Sequence, residues 1–213
     1  MKKILLIGDS IRMGYDADVK SFFSDSCEVY YPPENCRFAQ YIARHLGDWK
    51  KELEIDADLD LIHWNAGLWD TLELYEDGCI TPPDFYEFYI EKICKFIKIL
   101  FPKAKVIFAT STPVLEHKFL KPEVAIRRNA KIKEYNEIAI KVCKNHGFAI
   151  NDLYSLVQDV PEEYYSDMTH LYTPEGTQIL ANGVIKSICV ALNLEYHEFI
   201  FQDYHAVNEI VGM

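Results

Sequence analysis

Three polar residues in this chain have the types and the spacing that nucleophilic chemistry needs. Ser10 ends the sequence Gly8-Asp9-Ser10, which directly follows a short apolar run. Asp167 and His170 are three residues apart near the other end of the chain, so a turn or helix places both side chains on one face. A serine hydroxyl becomes a strong nucleophile when a histidine takes its proton and a carboxylate orients that histidine. The three residues therefore predict a catalytic triad assembled in space.

The segments that must position these residues alternate between strand and helix patterns. Short apolar runs typical of buried strands cover residues 3–7, 60–65, 105–110 and 148–150. Apolar residues at helical spacing, or helix start and stop signals, predict helices over residues 85–100, 125–145 and 173–192. Alternating strands and helices predict an α/β fold with a parallel sheet covered on both faces.

Polar and small residues follow three of these predicted strands. They occupy residues 8–10, 65–67 and 110–113. The carboxyl ends of parallel strands share one edge of a sheet, and ligands of open α/β sheets bind there. We therefore expect these three segments to converge on one site.

At this point the sequence resembles the SGNH or GDSL hydrolases, a family of serine esterases and lipases. The residues that carry the resemblance are Gly8-Asp9-Ser10, Asn65-Ala-Gly-Leu-Trp-Asp70 and Asp167-Met-Thr-His170. Thr110-Ser-Thr-Pro113 and Tyr135-Asn136 are similar to connecting segments of the family. The resemblance covers residues 3–190 and implies a flavodoxin-like three-layer α/β/α sandwich with a mostly parallel central sheet.

The resemblance also implies a role for each residue of the triad. Ser10 would be the nucleophile, His170 the general base and then acid, and Asp167 the group that orients the imidazole. Asp9 would hold the nucleophile turn through local hydrogen bonds to backbone amides. Each residue also has a purely structural interpretation. Ser10 and Asp167 could each be the N-cap of a helix, and His170 could be an ordinary loop histidine.

The donors that would stabilise an oxyanion are less regular in this sequence. The family uses the amide of the nucleophile, here Ser10, a glycine amide from a second block and an asparagine side chain from a third. Trp69 stands where the third block of the family has its asparagine, so Asn65 is the predicted side-chain donor. Gly67 and Asp70 are predicted to support the site. No glycine lies between positions 14 and 47, so the amide of Cys36 or Asn35 would have to replace the second donor.

Composition limits the classes of partner. The 213 residues carry a formal net charge of −11, which works against binding to nucleic acid or anionic membranes. The apolar run after Lys2-Lys3 is too short for a signal peptide, and six cysteines without a CxxC pair predict free thiols in a reducing cytoplasm. The remaining histidines lack metal-ligand spacing, so we expect no metal and no cofactor. Homo-oligomerisation is left open.

The chain is expected to form one domain over residues 1–194. The extension over residues 195–213 carries Phe199, Ile200, Phe201 and Tyr204, so we expect it to pack on the domain or on a partner chain.

The predicted substrate is a small ester, with an acetyl group on a carbohydrate or another small alcohol. The sequence has no long apolar insertion that would form a lipase lid. Aromatic residues near the expected site could stack on a sugar ring or belong to the core; they are Tyr15, Tyr30, Tyr31, Trp64 and Trp69. The alternatives are a family member that binds without efficient turnover, a structural interaction module, and a phosphate binder, although the sequence lacks a P-loop.

Overall fold

A computed structural model describes residues 1–200, and its centre is one parallel sheet. The strands of that sheet are β1 (Lys2–Ile7), β2 (Cys27–Tyr30), β3 (Leu61–Trp64), β5 (Lys105–Ala109) and β7 (Ala149–Asn151). The helices are α1 (Ser10–Phe22), α2 (Ala39–Glu52), α3 (Pro83–Leu100), α4 (Asn129–Asn145), α5 (Leu153–Val157) and α6 (Pro174–Leu192). Two short strands, β4 (Glu73–Leu74) and β6 (Ala125–Ile126), pair antiparallel in a separate small sheet.

The order of the strands confirms the predicted fold class. The main sheet runs β2-β1-β3-β5-β7, and each neighbouring pair is parallel. This is the flavodoxin-like order. The chain moves from β1 to β2 in one direction along the sheet, and then from β3 through β5 to β7 in the opposite direction. The reversal leaves a crevice beyond the carboxyl ends of β1 and β3, and the segments after these strands face it.

The strand β1 shows why the sequence forms a three-layer sandwich. Side chains alternate across a strand, and here both faces are apolar. Ile4 and Leu6 join the core under α1 and α6, whereas Leu5 and Ile7 join the core under α2, α3 and α4. All four side chains are at most 1% exposed, so the strand beneath the nucleophile is fixed from both sides.

The fourth helix begins later than the sequence predicts. The expected start was residue 125, but residues 125–126 form β6 and α4 begins at Asn129. The Oε1 atom of Glu116 accepts a hydrogen bond from the Asn129 amide at 2.6 Å, and the Asn129 side chain bonds the backbone of Val114. Tertiary contacts therefore set this helix boundary. The elements β2 and α2 had no sequence prediction.

The described part of the C-terminal extension packs on the domain. The amide of Phe199 donates to Oδ1 of Asn182 in α6 at 2.8 Å, and the Asn182 side chain donates back to the Phe199 carbonyl at 2.9 Å. The His197 ring lies against Phe22 of α1, with centroids 4.6 Å apart. Phe201 and Tyr204 lie outside the described residues.

Within the described part of the chain, no helix combines the length and the apolar character needed to cross a bilayer.

Candidate active site

The nucleophile turn is shaped by two residues that precede Ser10. A side chain at Gly8 would put its Cβ only 1.9 Å from Oδ1 of Asn65, so only glycine fits between β1 and the segment after β3. Asp9 is the N-cap of α1, and its Oδ1 accepts a hydrogen bond from the Ile11 amide at 3.0 Å. Ser10 is therefore the first residue of α1, not its cap.

A tight loop before α6 fixes the carboxylate and the imidazole. Oδ1 of Asp167 accepts hydrogen bonds from the amides of Thr169 at 2.6 Å and His170 at 2.8 Å. The Ser166 amide donates to the His170 carbonyl at 2.8 Å, which closes the loop. Burial raises the pKa of Asp167, but hydrogen bonds from the His170 ring and these amides outweigh it and hold the pKa below its ordinary value. The carboxylate is thus kept ionised beside the ring.

The structure brings the three predicted residues into one hydrogen-bonded chain. Oγ of Ser10 lies 2.8 Å from Nε2 of His170, and Nδ1 of the same ring lies 2.6 Å from Oδ2 of Asp167. An imidazole with its proton on Nδ1 can donate to Asp167 and accept the serine proton on Nε2. The hydroxyl and its acceptor lie beyond the carboxyl end of β1, at the reversal of strand order where open α/β sheets bind their ligands.

Sequence reasoning missed Tyr172, which touches both the serine and the histidine. Its hydroxyl donates to the Ser10 carbonyl, and its ring stacks on the His170 imidazole with centroids 4.6 Å apart and planes at 25°. A Cβ at Gly14 of α1 would lie 2.6 Å from the Tyr172 ring. The one signal in the sequence that could have identified Tyr172 is its position two residues after His170.

The segment after β3 places Asn65 against the nucleophile turn. Asn65 is 3% exposed, and its amide donates to the Ile7 carbonyl at 3.0 Å. Oδ1 of Asn65 is buried without a partner among residues 1–200, while the side chain forms a hydrogen bond that lowers the pKa of Asp9. Gly67 has φ of +146°, and a Cβ there would lie 2.5 Å from Oγ of Ser111. The supporting role predicted for Gly67 is therefore to allow the segment to turn closely past Ser111.

The supporting carboxylate Asp70 holds the second loop. Its two oxygens accept from the amide of Ala39, the first residue of α2, at 3.1 and 3.2 Å. Burial raises the pKa of Asp70 to about 7, although hydrogen bonds from Thr81 and Ala39 oppose that rise. Asp70 therefore joins the segment after β3 to the start of α2.

The prediction that Cys36 donates to an oxyanion needs correction. Its amide donates to the Gly8 carbonyl at 3.1 Å, so that hydrogen is already used and ties the second loop to the end of β1. The Asn35 side chain accepts from the Arg37 amide at 2.8 Å, in a turn where Arg37 has φ of +52°. Among the described residues, the amides of Ser10 and Asn35 donate to no protein acceptor.

Buried charge surrounds the nucleophile turn. Asp9 is fully buried, and burial raises its pKa, while hydrogen bonds from Asn65 and Ile11 and the charges of Arg127 and His170 lower it. Arg127 is a second residue that the sequence analysis missed, and its Nε donates to the Leu68 carbonyl. Nothing local in the sequence singles it out.

Over residues 1–200, no group of three His, Cys, Asp or Glu side chains is arranged to hold a metal ion.

The aromatic residues divide between the core and the surface of the site. Tyr15 and Trp64 are at most 1% exposed, so they belong to the core. Trp69 is half-buried, and its ring packs edge-on against Phe38 with centroids 6.4 Å apart. Trp69 lies in the segment that follows β3, and Phe38 directly precedes α2.

Comparison with solved structures shows which class of fold this is. The chain has the fold of the SGNH or GDSL hydrolases, as the motifs predicted. No protein-family model matches the sequence, and no curated protein matches it.

Three solved structures illustrate the likeness. A lipase/acylhydrolase from Enterococcus faecalis is 22% identical, with a TM-score of 0.70 over 92% of this chain and 98% of the other. A GDSL-like lipase from Bacteroides thetaiotaomicron is 20% identical, with a TM-score of 0.67 over 89% of each chain. An acetyl xylan esterase from Geobacillus stearothermophilus is 17% identical, with a TM-score of 0.66 over 88% of this chain and 94% of the other.

Proposed function

We propose that this protein is a serine ester hydrolase that removes a small acyl group, acetyl in particular, from a carbohydrate or another small alcohol. The observation that carries the proposal is the hydrogen-bonded chain from Ser10 through His170 to Asp167, with spacings of 2.8 and 2.6 Å. It stands at the crevice of a fold shared with lipases and acetyl xylan esterases.

The reaction follows from that geometry. Oγ of Ser10 attacks the ester carbonyl while Nε2 of His170 takes its proton, and Asp167 stabilises the imidazolium that forms. His170 then gives the proton to the departing alcohol oxygen, which leaves an acyl group on Ser10. Water attacks that acyl-enzyme with the same base, releases the acid and restores the serine hydroxyl.

Two donors are suited to the oxyanion that forms on the carbonyl oxygen. The Ser10 amide is at the N-terminus of α1, where amides lack helical partners and the helix dipole favours negative charge. The Asn65 side chain lies beside the same turn. Donors held in place before the reaction stabilise the transition state without reorganising.

Two observations support an acylated carbohydrate as the substrate. The half-buried rings of Trp69 and Phe38 offer aromatic surface of the kind that stacks on sugar rings. An acetyl xylan esterase is among the proteins with this fold, and its name describes an acetyl ester of a carbohydrate. The six free cysteines support action in a reducing compartment, for which we propose the cytoplasm.

A second candidate function is ligand binding without efficient turnover. The engaged amide of Cys36 favours it, because one of the three donors expected for an oxyanion is already used by Gly8.

Hydrolysis of a chromogenic ester series from acetate to octanoate separates the two functions. We expect wild type to cleave acetate fastest and Ser10→Ala to lose activity, because the alanine has no nucleophile. Ser21→Ala is the matched control, since Ser21 is an exposed serine on the same helix. Activity that survives in Ser10→Ala would contradict the proposed mechanism, and binding of a short ester without turnover by wild type would support the second candidate.

A further inference from the structure

A cationic side chain is held beside the triad by the segment that follows β3. Arg127 comes directly after β6 of the small sheet, and its Nε donates to the carbonyl of Leu68. Leu68 follows Gly67 in the same segment that carries Asn65. The guanidinium is therefore fixed at the edge of the site by one of its five N–H groups.

Two carboxylates of the candidate site act on Arg127 electrostatically. Asp9 and Asp167 are the carboxylates that raise its pKa, against a larger lowering by burial. Neither forms an ion pair with it among the described residues. Asp167 uses its oxygens on Thr169 and His170, and Asp9 binds the Ile11 amide. The field of two carboxylates therefore acts on Arg127, but neither carboxylate forms an ion pair with it.

Comparison with Arg12 shows what is unusual about Arg127. Arg12 is 1% exposed, and its terminal nitrogens bind Asp16 and the carbonyls of Pro32 and Glu34. The terminal nitrogens of Arg127 make no hydrogen bond within residues 1–200, and they are not among the buried polar atoms that lack a partner. Arg127 is half-buried, and these nitrogens are therefore not closed off from solvent, which leaves their N–H donors for a ligand.

We propose that Arg127 forms an anion subsite and that the natural substrate is a small ester carrying a carboxylate. This inference rests on the proposed ester hydrolysis and narrows its substrate class to acidic compounds, such as acylated sugar acids or hydroxy acids. A guanidinium with two free terminal nitrogens matches a carboxylate through paired hydrogen bonds. Partial burial strengthens that pairing, and the local cation offsets the repulsion that a net charge of −11 exerts on an anion.

Matched ester pairs test this subsite. For a carboxylate on the alcohol side, the pair is 4-acetoxybenzoate and the neutral 4-acetoxybenzamide. For a carboxylate on the acyl side, the pair is mono-4-nitrophenyl succinate and 4-nitrophenyl butanoate. The measured quantity is the ratio of kcat/KM for the anionic ester to that for the neutral ester. Comparing this ratio between variants cancels the intrinsic reactivity of each ester.

We expect Arg127→Gln to lower the ratio about tenfold or more for one of the two pairs, as the loss of a paired guanidinium–carboxylate contact requires. The pair that responds identifies the side of the ester that bears the charge. Arg128→Gln is the control, because Arg128 is half exposed and contacts Glu73 at 3.4 Å. It makes the same change in charge one residue away, and we expect its ratio to equal that of wild type.

An unchanged ratio in Arg127→Gln for both pairs overturns the inference, because a residue that only balances Asp9 and Asp167 affects neutral and anionic esters alike. If Ser10-dependent hydrolysis of the neutral esters persists, the proposed function survives that result.

Binding provides a readout that needs no turnover. Titration calorimetry of 4-acetoxybenzoate and mono-4-nitrophenyl succinate into Ser10→Ala, each against its neutral partner, should show tighter binding of one anion. Adding Arg127→Gln should remove the difference. Equal binding of anionic and neutral esters in both pairs overturns the subsite even if no ester is cleaved, whereas absent hydrolysis with selective anion binding refutes only the proposed catalysis.

Discussion

The ring of Tyr172 stacks on the imidazole of His170 at a centroid distance of 4.6 Å, and its hydroxyl bonds the carbonyl of Ser10. One side chain therefore contacts both the ring of His170 and the backbone of Ser10. Gly14 lies beneath the ring, where a Cβ would come within 2.6 Å of it. Helix α1 thus positions the His170 ring, through Tyr172, as well as Ser10.

Replacing Tyr172 should separate its two contacts. Tyr172→Leu removes the stacked ring, and we expect kcat/KM for a short ester to fall about 3–10-fold, the value of an aromatic contact. Tyr172→Phe keeps the ring and loses the bond to Ser10, for which we expect a fall of about fivefold. Steady-state kinetics on acetate esters measures both. Wild-type activity in both variants would show that the contacts do not position the triad.

The side chain of Asn65 should affect the chemical step. Asn65→Ala removes an amide donor beside the nucleophile turn, and we expect kcat to fall about 10²–10³-fold with little change in KM. Asn35→Ala is the comparison, because Asn35 shapes the second loop through the Arg37 amide. We expect a much smaller effect on kcat there. A rise in KM alone for Asn65→Ala would instead assign Asn65 to substrate binding.

Asp70 should make stability depend on pH. Burial raises its pKa from 3.8 to about 7, so the folded state holds this proton more tightly than the unfolded chain. Its contribution to stability is full below the unfolded pKa and is lost as the pH rises toward 7. Asp70→Asn, which cannot ionise, should therefore gain stability relative to wild type across this range, by about 4 kcal/mol at most.

Urea unfolding of wild type and Asp70→Asn between pH 4.5 and 8 measures this effect. Asp25→Asn is the surface control, since Asp25 is exposed. A difference between Asp70→Asn and wild type that stays constant over the whole range would mean that Asp70 has an ordinary pKa.

Two helical glycines should respond in opposite directions to alanine. Gly14→Ala forces a methyl group against the Tyr172 ring, so we expect a loss of about 1–3 kcal/mol in stability together with lower activity. Gly47 in α2 has open space at the same position, so Gly47→Ala should stabilise the protein by about 0.5–1 kcal/mol. Thermal unfolding and ester hydrolysis measure both effects. Equal stability of the two variants would show that the Tyr172 ring is free to move.

Residues at the ends of strands were predictable because local patterns define those positions. The apolar run before Gly8 predicts a buried strand, and a parallel sheet then brings Ser10 and Asn65 to one edge. The spacing of Asp167 and His170 predicts their contact in any compact turn. These features need only the strand period and the fold class, and both were correct.

The remaining features depend on contacts between distant segments. The use of the Cys36 amide by Gly8 depends on the backbone path of the second loop, including a positive φ at Arg37 that its residue type does not favour. The start of α4 depends on Glu116, which lies outside that helix. Arg127 reaches the site only because β6 pairs with β4. No local pattern encodes these relationships.

The connection between Ser10 and His170 joins the first helix to the loop before the last one. Helix α6 packs against α1, so the pair can meet only when the C-terminal helix has docked on the N-terminal one. The proposed ester hydrolysis therefore requires both ends of the chain, because a chain still being synthesised lacks His170 until the loop before α6 has emerged and α6 has packed. Recovery of activity during refolding thus reports the joining of the two chain ends.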